Sequence, residues 1–105
     1  MQPTTEQIDA LVQRIRDAVQ PLRIILFGSA ARGEMHTASD IDVAVVVPEG
    51  TDRHQVYETL YPSMVGLGFA VDIIVTTPEQ LAIHQSTIGM VYREIMREGI
   101  ELYAA

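Results

Sequence analysis

The amino-acid sequence predicts an α/β (α+β) fold, built as a small mixed sheet with helices packed mostly on one face. Apolar residues recur at helical spacing in several segments, and three short runs are rich in valine and isoleucine. These two kinds of segment alternate along the chain, which is typical of helices covering a sheet. Because no linker separates the segments, we expect one domain over residues 1–105.

The chain is expected to begin with a helix from about Thr5 to Val19. Thr4 and Gln7 match a capping box at its start. Its apolar residues fall at helical spacing: Ile8, Leu11, Val12, Ile15 and Val19. Pro21 ends the helix, and the run LRIILF then predicts a buried first strand that leads directly into Gly28.

Two further strands and one helix are predicted in the middle of the chain. The run DIDVAVVV forms the second strand and closes at Pro48, and FAVDIIVT forms the third. An amphipathic helix between them is expected to end near Gly66 and Gly68. Its apolar and aromatic residues are Val56, Tyr57, Leu60, Tyr61 and Met64.

The last part of the sequence predicts two helices and a short edge strand. Thr77, Pro78 and Gln80 supply an N-cap, a first-turn proline and a capping-box partner for the first of these helices. Apolar spacing predicts the last helix through Ile88, Val91 and Ile95. Gly99 suits the end of that helix, and IELY then predicts the edge strand.

Composition excludes several classes of chemistry. The chain has no cysteine, which excludes disulfides and thiolate metal sites, and no lysine, which excludes a P-loop lysine and lysyl adducts. All seven basic residues are arginines and the net charge is −7, so a nucleic-acid partner is disfavoured. The sequence has no apolar stretch near the roughly 20 residues that span a bilayer. It also lacks signal-peptide features, so we expect a cytoplasmic protein with no membrane partner.

Three aspartates interrupt the apolar pattern of the predicted strands. Asp40 and Asp42 are two residues apart, so their side chains share one face of the second strand, and Asp72 lies within the third. If the two strands are neighbours, the three carboxylates face one space. A buried carboxylate is costly unless it is paired or bound to metal, and no arginine is close in sequence. The pattern predicts a Mg²⁺ or Mn²⁺ site made by Asp40, Asp42 and Asp72.

Gly28 and Ser29 follow the first strand and predict a phosphate-binding turn. The segment SAARG is long enough for one helical turn, with Ser29 as its N-cap. A glycine that allows close backbone approach, exposed N–H groups and a hydroxyl can bind an anion without lysine.

Each of these residues also has a purely structural interpretation. Gly28 and Ser29 could form an ordinary capped turn, and Asp40 could cap a loop. Asp42 and Asp72 fit a structural role poorly, because aspartate is depleted in strands. The spacing between the turn and the aspartates favours function over structure.

Gly28 and Ser29, followed after ten residues by Asp40-Ile41-Asp42, resemble the signature of the polymerase-beta-like nucleotidyltransferase superfamily. The sequence looks most like the minimal nucleotidyltransferase (MNT) family, whose members are about this size. The resemblance extends from the first helix through Asp72 to the closing EIMREGIELY, and it implies the polymerase-beta-like nucleotidyltransferase fold.

The resemblance implies a role for each motif residue. Gly28 and Ser29 would hold the triphosphate of the nucleotide. Asp40 and Asp42 would bind two metal ions, and Asp72 would complete the catalytic site on the side of the nucleophile.

One position departs from the family pattern. Many members carry a basic or larger residue where this chain has Ala30. This leaves Arg32 as the nearest cation for phosphate, and phosphate affinity is expected to be lower here.

The resemblance also implies a reaction and a partner. The reaction is transfer of AMP from an NTP, with ATP expected, to a hydroxyl group, with release of pyrophosphate. Minimal nucleotidyltransferases are often encoded beside a small HEPN-domain protein. The two act as antitoxin and toxin, and the transferase inactivates its partner by adding AMP to a tyrosine.

Two other functional classes need comparison with this one. Phosphatases of the haloacid dehalogenase type also use an Asp-x-Asp pair, but their strand precedes the pair and they need a downstream lysine, which this chain lacks. The stronger alternative is a catalytically degenerate binding module that neutralises a partner protein by contact alone. Nucleotide consumption distinguishes it from an enzyme. The sequence leaves the acceptor, the preferred base and the oligomeric state, including a homo-oligomer, open.

Overall fold

The computed structural model describes residues 2–35, 40–87 and 91–105. In chain order, its elements are α1 (Thr5–Val19), β1 (Arg23–Phe27), α2 (Gly28–Arg32), β2 (Ile41–Val46), α3 (Arg53–Ser63), β3 (Val71–Thr76), α4 (Pro78–His84), α5 (Val91–Glu98) and β4 (Ile100–Ala104). This is the order that the sequence predicts. Ile88, which the apolar spacing assigns to the last helix, lies outside the described residues. Among the helices in these ranges, none combines the length and the apolar character needed to cross a bilayer.

The strands form one mixed sheet in the order β3-β2-β1-β4. β1 pairs antiparallel with β2 and with β4, whereas β2 and β3 pair in parallel. The registers place Phe27 opposite Asp42, and Asp42 opposite Asp72. The predicted mixed sheet is confirmed, as is the edge position of the closing strand.

Helices cover both faces of this sheet. The two longest, α1 and α3, pack on the face that contains Ile24 and Leu26, where Leu11 and Leu60 are fully buried. Successive strand residues point to opposite faces, so Ile25 and Phe27 belong to the other face, which α4 and α5 cover. The prediction of helices mostly on one face holds for the two long helices. The second layer was not predicted, because α4 and α5 are short and bury only Leu81 and Ile95.

Local hydrogen bonds define most helix ends where the sequence places them. The Thr4 hydroxyl accepts from the Gln7 N–H at 3.1 Å and the Gln7 side chain accepts from the Thr4 N–H at 2.9 Å, which confirms the capping box. α3 is the exception, since it ends at Ser63 rather than near Gly66. The Arg14 guanidinium, reaching across from α1, donates to the Ser63 carbonyl at 2.8 Å and binds the chain as it leaves the helix.

Two tyrosines of α3 close the free edge of β3. The Tyr57 hydroxyl accepts from the Val75 N–H at 2.8 Å, and the Tyr61 hydroxyl accepts from the Ile73 N–H at 3.2 Å. Their rings stack with centroids 6.2 Å apart. Two outward N–H groups of an edge strand are therefore paired within the domain, which protects this edge from pairing with another chain.

Candidate active site

Asp42 and Asp72 lie side by side on neighbouring parallel strands. The register of β2 and β3 places them directly opposite each other. Both side chains face α4 and α5, because Ala44 and Val46, two and four residues further along β2, belong to the core on that face. The sequence predicts a shared space for these carboxylates on the condition that the two strands are neighbours. This condition is met, and it brings two carboxylates to the same edge of the sheet.

Asp42 lies in a strongly negative environment. The pKa of its carboxyl group is raised from 3.8 to about 6, chiefly by burial and then by the charges of Asp72, Glu94 and Asp40, against a smaller opposing effect of Arg32. A raised pKa means that the ionised form is disfavoured in the folded protein. A bound cation would remove this penalty, so the donor set is suited to a divalent metal with oxygen ligands.

Asp40 lies outside the strand register that pairs Asp42 with Asp72. It precedes the first residue of β2 and is exposed, so no strand register fixes it beside Asp72. Within residues 2–35, 40–87 and 91–105, no three Asp, Glu or His side chains lie close enough to hold one metal ion. The strand register thus fixes the positions of Asp42 and Asp72, and Asp40 adds a negative charge that acts on Asp42.

The turn after β1 contacts the Asp42 carboxylate. Gly28 has a φ of +72°, and a Cβ built on it would overlap Asp42 Oδ2. Both its backbone conformation and the close carboxylate require glycine at this position. The turn and the aspartate pair are therefore parts of one site.

Ser29 does not have the predicted N-cap role. The N-cap position is Phe27, without a side-chain hydrogen bond, because the chain passes from β1 through Gly28 directly into α2. The half-buried Ser29 hydroxyl makes no hydrogen bond within the described part of the chain. It is consequently available to a ligand at the turn.

Arg32 is engaged by three glutamates. Its Nε–H donates to Glu34 at 2.5 Å, and Nη1 donates to Glu94 at 2.8 Å and to Glu98 at 3.0 Å. The hydrogen bonds to Glu34, Glu98 and Glu94 raise the pKa of the guanidinium above its ordinary value. The sequence predicts Arg32 as the nearest cation for phosphate, whereas in the structure three carboxylates pair with its guanidinium.

Glu94 is the site residue that sequence reasoning missed. It approaches the site from α5, where it bonds Arg32 and adds to the negative charge around Asp42. Glu94 and Arg32 are 62 residues apart in sequence, so no local pattern connects them. The only signal was the spacing of Glu94 and Glu98, which places two carboxylates on one flank of a helix.

Comparisons with known proteins identify relatives of this fold. Residues 8–102 match the family model described as nucleotidyltransferase domain. A crystal structure of a toxin-antitoxin with AMP-PNP has 24% identity and a TM-score of 0.69, covering 93% of this chain and 73% of that one. A doubly substituted MntA-HpeT toxin-antitoxin has 21% identity and a TM-score of 0.67, with the same coverages of 93% and 73%. A Sulfolobus solfataricus protein assigned as a nucleotidyltransferase has 19% identity and a TM-score of 0.59, covering 99% of this chain and 92% of its own. No curated protein matches the chain significantly.

Proposed function

This chain belongs to the nucleotidyltransferase domain family, and we propose that it transfers AMP from ATP to a hydroxyl group in a metal-dependent reaction. The contact between the Gly28 turn and the Asp42 carboxylate, with Asp72 opposite, carries the proposal. This chemistry needs the proposed phosphate-binding turn next to the proposed metal-binding pair, and the closeness of Gly28 to the Asp42 carboxylate supports that arrangement.

Asp42 and Asp72 would hold the metal, with Asp40 at the margin of the site. The raised pKa of Asp42 supports this assignment, because the same neighbours that disfavour its charge would favour a cation. When bound, Mg²⁺ or Mn²⁺ neutralises phosphate charge and lowers the pKa of the attacking hydroxyl.

The residues of the chain have separate roles in the proposed transfer. Gly28 lets the phosphates approach the backbone, and the Ser29 hydroxyl donates a hydrogen bond to them. The acceptor oxygen forms a bond to the α-phosphorus while the bond from that phosphorus to pyrophosphate breaks. Asp72, exposed on the edge strand, faces the acceptor and takes the hydroxyl proton.

We further propose that the acceptor is a tyrosine of a HEPN-domain toxin and that this chain is its antitoxin. Two structures of similar fold are toxin-antitoxin proteins, and one of them contains the ATP analogue AMP-PNP. The other carries two aspartate-to-glutamate substitutions two positions apart. Asp40 and Asp42 have the same spacing, which supports a shared importance of this pair.

Co-expression with the protein encoded by the neighbouring gene tests the proposal. The purified complex is incubated with ATP and Mg²⁺, and the masses of both proteins are measured. We expect the partner to gain AMP with the wild type and with Asp9→Asn, an exposed α1 control, but not with Asp42→Asn. Failure of the wild type to add AMP, or equal transfer by Asp42→Asn, would contradict the proposal.

The contact-only binding module remains the second candidate function. It is favoured by the finding that no compact three-residue metal cluster occurs in the part of the chain that the structure describes. Its signature would be full neutralisation of the partner by both the wild type and Asp42→Asn, with no ATP consumed.

A further inference from the structure

Arg93 and Arg97 form an unpaired cationic surface on α5. They are four residues apart, so they lie on the same flank of the helix. Neither side chain has an ion pair or hydrogen bond within residues 2–35, 40–87 and 91–105. Both line two surface cavities of about 590 and 430 Å³.

The other arginines are occupied or distant from the carboxylate pair. Four have partners within the described structure: Arg14 bonds backbone carbonyls, Arg16 lies over a tyrosine ring, Arg23 pairs with a glutamate and Arg32 pairs with three. Arg53 begins α3, which packs on the opposite face of the sheet. Among the described residues, Arg93 and Arg97 are therefore the unengaged arginines on a helix that covers the sheet face shared by Asp42 and Asp72.

Two glutamates line the larger cavity together with these arginines. They are Glu94 and Glu98, which bond Arg32 of α2, the helix that begins at Gly28, and the charge of Glu94 acts on Asp42. An NTP must bring several negative charges into a site that is already acidic. The Gly28 turn offers no positive charge to the terminal phosphates, whereas a guanidinium binds phosphate oxygens through paired N–H groups.

We propose that Arg93 and Arg97 bind the polyphosphate tail of the nucleotide, the part that leaves as pyrophosphate. This inference rests on the proposed function. It assigns the cationic role to α5 rather than to Arg32, whose guanidinium fastens α2 to α5 through Glu94 and Glu98.

Calorimetric titrations of the full chain with ATP, AMP and inorganic tripolyphosphate in Mg²⁺ test the proposal. In the double variant Arg93→Gln/Arg97→Gln, ATP and tripolyphosphate should bind about tenfold more weakly or worse. AMP should bind as it does to the wild type, because it lacks the tail. Arg53→Gln, an exposed arginine on the other face, is the matched control and should leave all three affinities unchanged.

The outcomes separate this inference from the function on which it rests. Unchanged ATP affinity in the folded double variant overturns the arginine assignment and leaves the proposed function standing. If the double variant keeps its ATP affinity but no longer binds the protein partner, the arginine assignment is overturned too, and the surface is identified as a site for an acidic protein. A wild type that binds no ATP refutes both. If the double variant fails to fold, the single variant Arg97→Gln, at an exposed position, is used for the same titrations.

Discussion

The substitution Asp42→Asn should stabilise the protein in the absence of metal, and only above a defined pH. Asparagine keeps the shape of the protonated acid and removes the charge. The pKa of Asp42 rises from 3.8 to about 6 on folding, because of burial and then because of neighbouring acids. Between these two values the folded protein holds a proton that the unfolded chain has released, so wild-type stability falls as the pH rises through this window.

The size of the effect follows from the same shift. The rise in the pKa of Asp42 corresponds to a loss of at most about 3 kcal/mol in the free energy of unfolding. Asp42 is only half-buried, so solvent screening reduces the expected difference to about 1 kcal/mol. Asp42→Asn should thus match the wild type below the window and exceed its free energy of unfolding by about 1 kcal/mol above it.

Urea unfolding in chelator, repeated at pH values on both sides of the window, measures this difference. Asp9→Asn is the control, since it removes an exposed carboxylate from α1, a helix on the opposite face of the sheet. Asp42→Asn could instead be less stable than the wild type at every pH, or the difference could stay constant with pH. Either result would refute the interpretation that the surroundings of Asp42 disfavour its ionised form.

Three further substitutions test single contacts. Ser29→Ala should weaken ATP binding by roughly 1.5–3 kcal/mol in calorimetry with little change in melting temperature, and a large loss of stability instead would make this serine structural. Gly28→Ala should lower the free energy of unfolding by about 1–2 kcal/mol or more, because the turn has a φ of +72° and its Cβ would meet a carboxylate. An unchanged melting temperature would contradict that geometry. Tyr57→Phe should cost about 1–3 kcal/mol in urea unfolding, since it leaves the N–H of Val75 without its partner. Tyr103→Phe, whose hydroxyl has no hydrogen bond within the described residues, is the control, and equal losses in the two variants would contradict the role of the Tyr57 hydroxyl.

Features set by neighbours in sequence could be predicted. The α1 bounds and the N-cap of α4 by Thr77 depend on residues within three positions of each other, and both are present in the structure. Residue type also marked Asp42 and Asp72 as candidates for one site, on the condition that their strands are neighbours, and the structure meets that condition. Aspartate is depleted in strands, so an aspartate within an apolar strand indicates an unusual environment, and Asp42 and Asp72 are both such residues.

Features set by distant parts of the chain could not be predicted. The pairing of Arg32 with Glu94 needs the position of α5 above the sheet, which depends on how short helices with few apolar residues pack. The shift of the N-cap from Ser29 to Phe27 depends on the backbone of Gly28, which has a φ of +72° and lies against Asp42 of the neighbouring strand. Propensity alone places a serine at the cap.

Asp42 and Asp72 are proposed to hold a divalent metal that allows this acidic chain to bind a triphosphate. Calorimetric titration of ATP in Mg²⁺ and in excess chelator, with the wild type and Asp42→Asn on matched preparations, tests it most directly. We expect ATP to bind only to the wild type in Mg²⁺, because a net charge of −7 opposes a triphosphate without metal. Equal affinity in chelator, or undiminished affinity in well-folded Asp42→Asn, would contradict the claim.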